Sequence, residues 1–221
     1  MLQNRIAIGG KDRSSAEFGL DYIEEFRRVI LAHARPRAGA FLEWGSGHTT
    51  KALAEMREEL GVRLLCTIDS DRDYLMAVLA GVPKWPGLRA YCRDVTGPRR
   101  SMCDPELAYS TLPLSWKQTF DVIFIDGRRR MECALVASLL CHEDSVVLLH
   151  DYRRARYQVA RAFYDIVEDG PQFRVMRPKP ALLDARPPWH ELTTALPDPG
   201  ADARFGRGPR PKKPGPRPSP G

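Results

Sequence analysis

The 221-residue sequence contains no run of about 18 apolar residues, the length that a helix needs to cross a membrane. Its amino-terminal stretch, MLQNRIAIGGKDRSS, also lacks the apolar core of a signal peptide, so we expect a cytoplasmic location. The cysteines form no C-x-x-C pair and stand at positions 66, 92, 103, 133 and 141. This odd, scattered set predicts free thiols in a reducing compartment rather than disulfides or a zinc site.

The body of the chain also has little net charge, because the net charge of +6 is unevenly spread. Residues 197–221 hold six Lys or Arg and two Asp, and therefore carry +4 of it. The same segment has eight prolines and five glycines, a composition that predicts a disordered basic tail. The body carries only +2, so we do not expect nucleic-acid binding except weakly through the tail.

Apolar strands alternate with amphipathic helices along the body of the chain. We predict helices over residues 15–33, 49–60, 71–79, 130–141 and 154–167. Strands are predicted at AFLEW, RLLCTID, LRAYCRD, FDVIFID and SVVLLHD, followed by a hairpin of QFRVM and ALLDA, with residues 97–118 irregular. Continuous apolar strands between helices are typical of a parallel sheet covered on both faces. The sequence therefore predicts an α/β fold.

Carboxylates stand at the ends of the five predicted body strands. In doubly wound sheets, ligands bind at the carboxyl ends of strands, beside the point where the strand order reverses. Asp is also common at turns and helix N-caps, so each residue taken alone has a purely structural interpretation. The candidates at these ends are Glu43 to His48, Asp69, Asp94, Asp126 and the pair His150 and Asp151.

The segment EWGSGHTT contains the turn Gly45, Ser46, Gly47 between a strand and a helix. Glycines there permit close approach of a ligand, and the helix start offers unpaired N–H groups. The same pattern is equally typical of a strand-to-helix turn without a ligand. Asp69, 24 residues after Gly45, could accept hydrogen bonds from ribose hydroxyls. Alternatively it caps the next helix, although Asp71 is better placed to do so.

Two cofactor classes compete for such a site. A nicotinamide dinucleotide favours glycine or alanine at the third position of G-x-G-x-x-G, where this chain has Thr50. A carboxylate at Glu43 is also unfavourable beside a pyrophosphate, but favourable beside the ammonium of an amino-acid moiety. These residues favour S-adenosylmethionine, which is cationic and has no phosphate.

EWGSG, TIDSD and FDVIFIDG together resemble the first, second and fourth motifs of the class I S-adenosylmethionine-dependent methyltransferases, over about residues 15–185. The resemblance implies a Rossmann-like, doubly wound, mostly parallel seven-stranded sheet with helices on both faces. It also implies that Glu43 and the turn Gly45, Ser46, Gly47 surround the methionine moiety. By the same resemblance Asp69 holds the ribose and Asp94 lies near the adenine.

FIDGRRRMECAL and VVLLHDYRRARY are similar in layout to metal-dependent sugar and catechol O-methyltransferases. That similarity implies catalytic roles for Asp126, His150 and Asp151, with Asp126 and Asp151 as ligands of Mg²⁺ or another divalent metal that lowers the pKa of a substrate hydroxyl. His150 departs from the oxygen-only pattern. It could instead be a general base that works without metal, or a strand-end residue without a chemical role.

Six arginines flank the same strand ends, in GRRRM and DYRRARY. Arginine forks bind carboxylate or phosphate, so an anionic acceptor is one interpretation. Pairing with neighbouring Asp and Glu is the other.

The sequence as a whole predicts methyl transfer to an oxygen of a small or sugar-like acceptor. The alternatives are a non-catalytic binding or scaffold protein with the same fold, and a nicotinamide-dependent dehydrogenase. We expect an N-terminal helical segment over residues 1–38, a methyltransferase domain over 39–190 and the tail over 197–221. Residues 1–38 and 97–118 are expected to shape the acceptor pocket.

Overall fold

A computed structural model describes residues 6–8, 11–13, 15–35, 39–95 and 107–184 of the chain. The predicted tail over residues 197–221 lies outside the described residues.

Nine strands and six α-helices form in these regions. The strands are β1 (Ile6–Ile8), β2 (Lys11–Arg13), β3 (Ala40–Trp44), β4 (Leu64–Asp69), β5 (Leu88–Cys92), β6 (Val122–Ile125), β7 (Val146–His150), β8 (Tyr164–Asp169) and β9 (Phe173–Pro178). The helices are α1 (Ser15–His33), α2 (His48–Glu55), α3 (Arg72–Ala80), α4 (Leu107–Thr111), α5 (Arg130–Leu140) and α6 (Pro180–Asp184). Two 3₁₀ segments cover Leu112–Trp116 and Ala155–Ala162.

Seven of the strands form one sheet in the order β5-β4-β3-β6-β7-β9-β8, while β1 and β2 pair separately. Neighbouring strands from β5 to β7 are parallel, and β9 is antiparallel to both β7 and β8. The predicted α/β, doubly wound and mostly parallel seven-stranded sheet is therefore confirmed.

The sheet is covered on both faces because successive side chains of a strand point to opposite sides. On β6, Ile123 and Ile125 pack toward α5 and the 3₁₀ segments, whereas Val122 and Phe124 pack toward α1 and α2. Helix α1 buries the side chains of Phe26, Val29 and Ile30 completely in the second layer. This contact holds the helix across the sheet and brings its Tyr22 to the carboxyl ends of the strands.

Three secondary-structure predictions are wrong. The helix predicted over residues 154–167 is a 3₁₀ segment followed by β8, and Val159 and Val167, which it would bury, are exposed. YDIVED alternates between inward and outward positions, so pairing with β9 prevails over the helical spacing of its apolar residues. The residues ALLD of the second predicted hairpin strand lie in α6, where Pro180 suits the first helical position. Within the predicted irregular stretch, residues 107–116 are helical.

Among the helices in the described ranges, none has both the length and the apolar composition of a membrane span.

Candidate functional site

The strand order reverses between β3 and β6, and two glycines meet there. Gly45, directly after β3, has φ of 93°, a value that favours glycine. A Cβ on Gly45 would lie 2.6 Å from the backbone nitrogen of Gly127, which follows β6. A Cβ on Gly127 would in turn lie 2.8 Å from the nitrogen of Gly45. The two turns therefore pack against each other at the switch point, and Gly127, to which the sequence analysis gives no role, has as little room for a Cβ as Gly45.

A cavity of about 440 Å³ opens at this switch point. Its volume lies within the range of small-molecule sites, roughly 300–1,000 Å³. The lining residues come from the ends of β3, β4 and β6 and from two tyrosines: Gly45, Ser46, Asp69, Ser70, Asp71, Tyr74, Tyr109, Asp126, Gly127, Arg128 and Arg130. Four residues predicted from the strand ends, Gly45, Ser46, Asp69 and Asp126, thus line one cavity.

A second cavity of about 510 Å³ lies between His142, Glu143, Pro178 and α6. His142 and Glu143 precede β7, so this cavity is at the amino ends of the parallel strands. Ligands of doubly wound sheets bind at the opposite ends, and we therefore place the functional site in the switch-point cavity.

Asp69 ties the ends of β4 and β3 together. Its Oδ2 accepts hydrogen bonds from the backbone N–H of Ser46 at 2.8 Å and from the Ser46 hydroxyl at 2.7 Å. Its Oδ1 accepts from the N–H of Asp71 at 2.9 Å, while Asp71 itself caps α3 by accepting from Tyr74. Asp69 is therefore not the helix cap, and its carboxylate lies at the cavity wall beside the glycine turn.

Glu43 is fully buried beneath the glycine turn. Its carboxylate accepts hydrogen bonds from the hydroxyls of Thr49, Thr50 and Thr67 at 2.5, 2.6 and 2.8 Å. Burial raises the pKa of this carboxyl to about 7, although the three hydroxyls oppose the increase. Thr50 also accepts from the N–H of Gly47 at 2.9 Å, so Glu43 anchors the turn. Its predicted contact with the methionine ammonium stays a prediction.

Two other predicted cofactor residues lie differently. Gly47 caps α2 and is not among the residues that line the cavity. Asp94 follows β5, is exposed, and is also absent from the described lining of the cavity. Their roles beside the methionine and the adenine remain predictions.

Asp126 lies at the centre of a small hydrogen-bonded group. Its Oδ1 is 2.7 Å from Nδ1 of His150, and its Oδ2 accepts a 2.8 Å hydrogen bond from the Tyr22 hydroxyl. Burial, followed by the adjacent carboxylate, raises the pKa of the Tyr22 phenol, which therefore keeps its proton. The His150 ring packs edge-on against Tyr22, with centroids 5.1 Å apart, and lies 5.5 Å from the Phe173 ring.

Arg130 joins the two acidic strand ends that the sequence predicts as metal ligands. Its Nη2 is 2.8 Å from Oδ1 of Asp126, and its Nη1 is 3.1 Å from Oδ2 of Asp151. Arg154 pairs with the same Asp151 oxygen at 2.7 Å. The two carboxylates thus converge, as predicted, but they converge on a guanidinium.

This arrangement does not fit the predicted divalent metal. A Mg²⁺-type ion needs carboxylate and carbonyl oxygens free to turn toward it, and here the cationic Arg130 side chain already lies between the two carboxylates. No group of three or more His, Cys, Asp or Glu residues in the described ranges is placed to hold an ion.

Five of the six flanking arginines have partners that sequence reasoning could not assign. Arg128 is the exception: it is exposed, it lines the cavity, and its guanidinium has no hydrogen-bonded or charged partner within the described part of the chain. The other five are engaged as follows: Arg129 with Glu132, Arg130 with Asp126 and Asp151, Arg154 with Asp151, and Arg153 and Arg156 over the rings of Tyr152 and Tyr157.

Tyr22 and Tyr109 were not identified from the sequence, although both lie in segments expected to shape the acceptor pocket. The Tyr109 hydroxyl accepts a 3.2 Å hydrogen bond from the N–H of Arg128, and its carbonyl accepts from Nε1 of Trp44 at 2.9 Å. Tyr22 lies 104 positions from its partner Asp126. No local pattern marks such distant pairs.

Comparison with known proteins identifies the fold. No family model and no curated protein match the sequence. Among solved structures, a methyltransferase-like protein from Silicibacter pomeroyi is 23% identical, with 77% of this chain and 93% of that chain covered and a TM-score of 0.53. The N-methyltransferase NodS from Bradyrhizobium japonicum is 10% identical, with 74% and 98% covered and a TM-score of 0.51.

The chain therefore has the fold of the class I, Rossmann-like methyltransferases.

Proposed function

We propose that the chain transfers a methyl group from S-adenosylmethionine to an oxygen of a small or sugar-like acceptor. The observation that carries this proposal is the cavity at the switch point, where Gly45, Ser46 and Asp69 line one wall and Asp126 lines another. In this fold class the position is where a nucleoside ligand binds, with an acid at the end of the second strand facing the ribose.

The cofactor half of the cavity has the chemistry that a nucleoside requires. The carboxylate of Asp69 is held in place by Ser46 and Asp71, and among the described contacts its Oδ1 keeps one acceptor position for a ribose hydroxyl. The close contact of Gly45 and Gly127 keeps side chains out of the turn, so the methionine moiety can approach the backbone.

For the reaction itself we propose His150 as the base and Asp126 as the group that orients it. Because Asp126 accepts from Nδ1–H of His150, the neutral ring carries its lone pair on Nε2. Within the described residues Nε2 has no hydrogen-bonding partner. The His150 side chain is 16% exposed and contacts Asp126, which lines the cavity. We therefore propose that His150 removes a proton from an acceptor at the edge of the cavity.

The proposed methyl transfer accounts for the proton, the bonds and the electron pair without a metal ion. The acceptor hydroxyl gives its proton to Nε2 of His150 as its oxygen attacks the methyl carbon in line with the sulfur. The O–C bond forms, the C–S bond breaks, and sulfur keeps the electron pair, leaving S-adenosylhomocysteine. Such a transfer depends mainly on alignment of the three reacting atoms, with proton removal adding a further factor.

We extend the proposal to an anionic acceptor because of Arg128. Its guanidinium lies at the cavity without a charged or hydrogen-bonded partner among the described residues, and such forks bind carboxylate or phosphate through two parallel hydrogen bonds. The other arginines of the rim are already engaged, so the specificity for negative charge rests on this residue.

Mass spectrometry of reaction mixtures tests the function. Purified chain is incubated with methyl-deuterated S-adenosylmethionine and panels of hydroxylated acceptors, with and without carboxylate or phosphate groups. We expect labelled O-methyl product and an equal amount of S-adenosylhomocysteine. Binding of S-adenosylhomocysteine without turnover on any panel would support the scaffold alternative, and binding of NAD in its place would support a dehydrogenase.

A further inference from the structure

Five oxygen atoms surround the guanidinium of Arg130. Nε donates to the carbonyl of Gly127 at 3.2 Å. Nη1 donates to the carbonyl of His150 at 2.8 Å and pairs with Oδ2 of Asp151 at 3.1 Å. Nη2 donates to the carbonyl of Asp126 at 3.1 Å and pairs with its Oδ1 at 2.8 Å. The guanidinium therefore makes three hydrogen bonds to backbone carbonyls and two ion pairs with carboxylates.

The chemistry of these five oxygens is that of a hard-cation site. Two are carboxylate oxygens and three are backbone carbonyls, the same donors that Ca²⁺ and Mg²⁺ bind in proteins. They come from the last residue of β7 and from the loops after β6 and β7, which are neighbouring strands in the sheet. The two carboxylates carry two negative charges, and one positive charge from Arg130 lies between them.

We infer that the Arg130 guanidinium substitutes for a divalent cation in this oxygen cradle, and that it keeps metal out of the site. The side chain enters from the first residue of α5 and is only 14% exposed. A metal ion entering the cradle would have to displace three hydrogen bonds and two ion pairs, and it would meet a like charge that cannot lose its proton.

Removal of Arg130 should therefore uncover a cation site that the native chain does not offer. The carboxylates of Asp126 and Asp151 would then face each other without their shared positive charge. Repulsion between two partly buried carboxylates is relieved by a divalent ion more effectively than by water. The affinity of the cradle for cations does not depend on whether the chain transfers methyl groups.

Electron paramagnetic resonance with Mn²⁺ provides the test. Mn²⁺ is titrated into the full native chain and into Arg130→Ala and Arg130→Met variants, and the free-ion signal is measured. We expect one bound Mn²⁺ per variant chain with a dissociation constant of about 10⁻⁴–10⁻³ M, the range of weak oxygen-ligand sites, and affinity at least about tenfold lower in the native chain. Mg²⁺ should compete for the same site.

Two further variants decide whether the bound ion occupies the cradle. Adding Asp126→Asn to either Arg130 variant should abolish the binding. Arg154→Ala removes the exposed partner of Asp151 and leaves Arg130 in place, so it should bind Mn²⁺ no better than the native chain. Arg130→Met keeps an unbranched side chain in the same space, and circular dichroism establishes that the variants are folded.

The inference is overturned if folded Arg130 variants bind Mn²⁺ no more tightly than the native chain. It is equally overturned if the native chain binds Mn²⁺ in this range and Asp126→Asn removes that binding, because the guanidinium would then not exclude the ion.

Discussion

Nδ1 of His150 lies 2.7 Å from Oδ1 of Asp126, at the ends of two neighbouring parallel strands. The contact fixes which ring nitrogen carries the proton and directs the other away from the carboxylate. The same carboxylate accepts from Tyr22 and pairs with Arg130, so both of its oxygens are engaged. Because both carboxylate oxygens are engaged, we assign the role of base to the imidazole of His150.

Replacing the base should slow methyl transfer without removing the cofactor. We expect His150→Gln to lower kcat by about 10²–10⁴-fold, the usual contribution of a positioned general base, while S-adenosylhomocysteine binding is unchanged. His142 offers a matched control, because its Nε2 lies 3.3 Å from Oδ1 of Asp121 at the amino ends of the strands, opposite the cavity. Initial rates of His142→Gln should equal those of the native chain, and a fully active His150→Gln would contradict the assignment.

The buried carboxyl of Glu43 should make stability depend on pH. Its folded pKa of about 7 is raised above the ordinary value of 4.5, so the folded state binds the proton more tightly than the unfolded state does. The stabilisation is complete below the unfolded pKa and is lost as the pH rises through about 7.

Urea unfolding at pH 5 and pH 8 measures this dependence. The stability of the native chain relative to Glu43→Gln should fall by about 3 kcal/mol between the two, because a pKa unit corresponds to about 1.4 kcal/mol. Asp165→Asn, on an exposed position of the edge strand β8, should leave the pH dependence unchanged. A constant difference between the native chain and Glu43→Gln would show that Glu43 ionises normally in the fold.

Arg128 should decide between anionic and neutral acceptors. We expect Arg128→Ala to reduce kcat/KM for a carboxylate or phosphate acceptor by about 10–100-fold, the value of a charge-assisted hydrogen bond, and to leave a neutral acceptor nearly unaffected. Parallel measurement of S-adenosylhomocysteine affinity separates this from a role in binding the cofactor carboxylate. Arg156→Ala, which loses only a contact with Tyr157, is the control. Equal losses for both acceptors would contradict selection by charge.

The contact between the two glycine turns should be intolerant of a methyl group. Gly45→Ala combines a left-handed φ with a Cβ placed 2.6 Å from the Gly127 nitrogen, and we expect a loss of about 3 kcal/mol or more in unfolding free energy. Gly61, in the turn between α2 and β4, also has a positive φ, of 64°. It is not among the residues that line the cavity. Gly61→Ala should cost only about 1 kcal/mol. Similar losses for the two variants in urea unfolding would exclude the packing explanation.

The fold was largely predictable because its strands are short, continuous apolar runs that end in acids. FDVIFID and SVVLLHD are strands at the predicted places, and burial on both faces explains their unbroken hydrophobicity. YDIVED was predicted as part of a helix because its apolar residues also fit a helical spacing, and only the pairing with β9 selects the strand.

The candidate site was predictable at the strand ends and unpredictable between them. The sequence places Asp69 and Ser46 at the same edge, and they are hydrogen-bonded. It does not indicate that Tyr22 contacts Asp126 from a helix across the sheet. Contacts between residues 104 positions apart produce no local sequence pattern. Nor does it indicate that three threonine hydroxyls surround Glu43, since one of them, Thr67, comes from the next strand.

Calorimetric titration of S-adenosylhomocysteine tests the central claim most directly, with Asp69→Asn as the variant and Asp165→Asn as the control. We expect the native chain and the control to bind one equivalent with equal affinity, no binding of NAD, and affinity about 10–100-fold lower in Asp69→Asn because a charged hydrogen-bond acceptor is lost. Absence of S-adenosylhomocysteine binding to the folded native chain, or binding that Asp69→Asn does not alter, would contradict a cofactor site at the switch-point cavity.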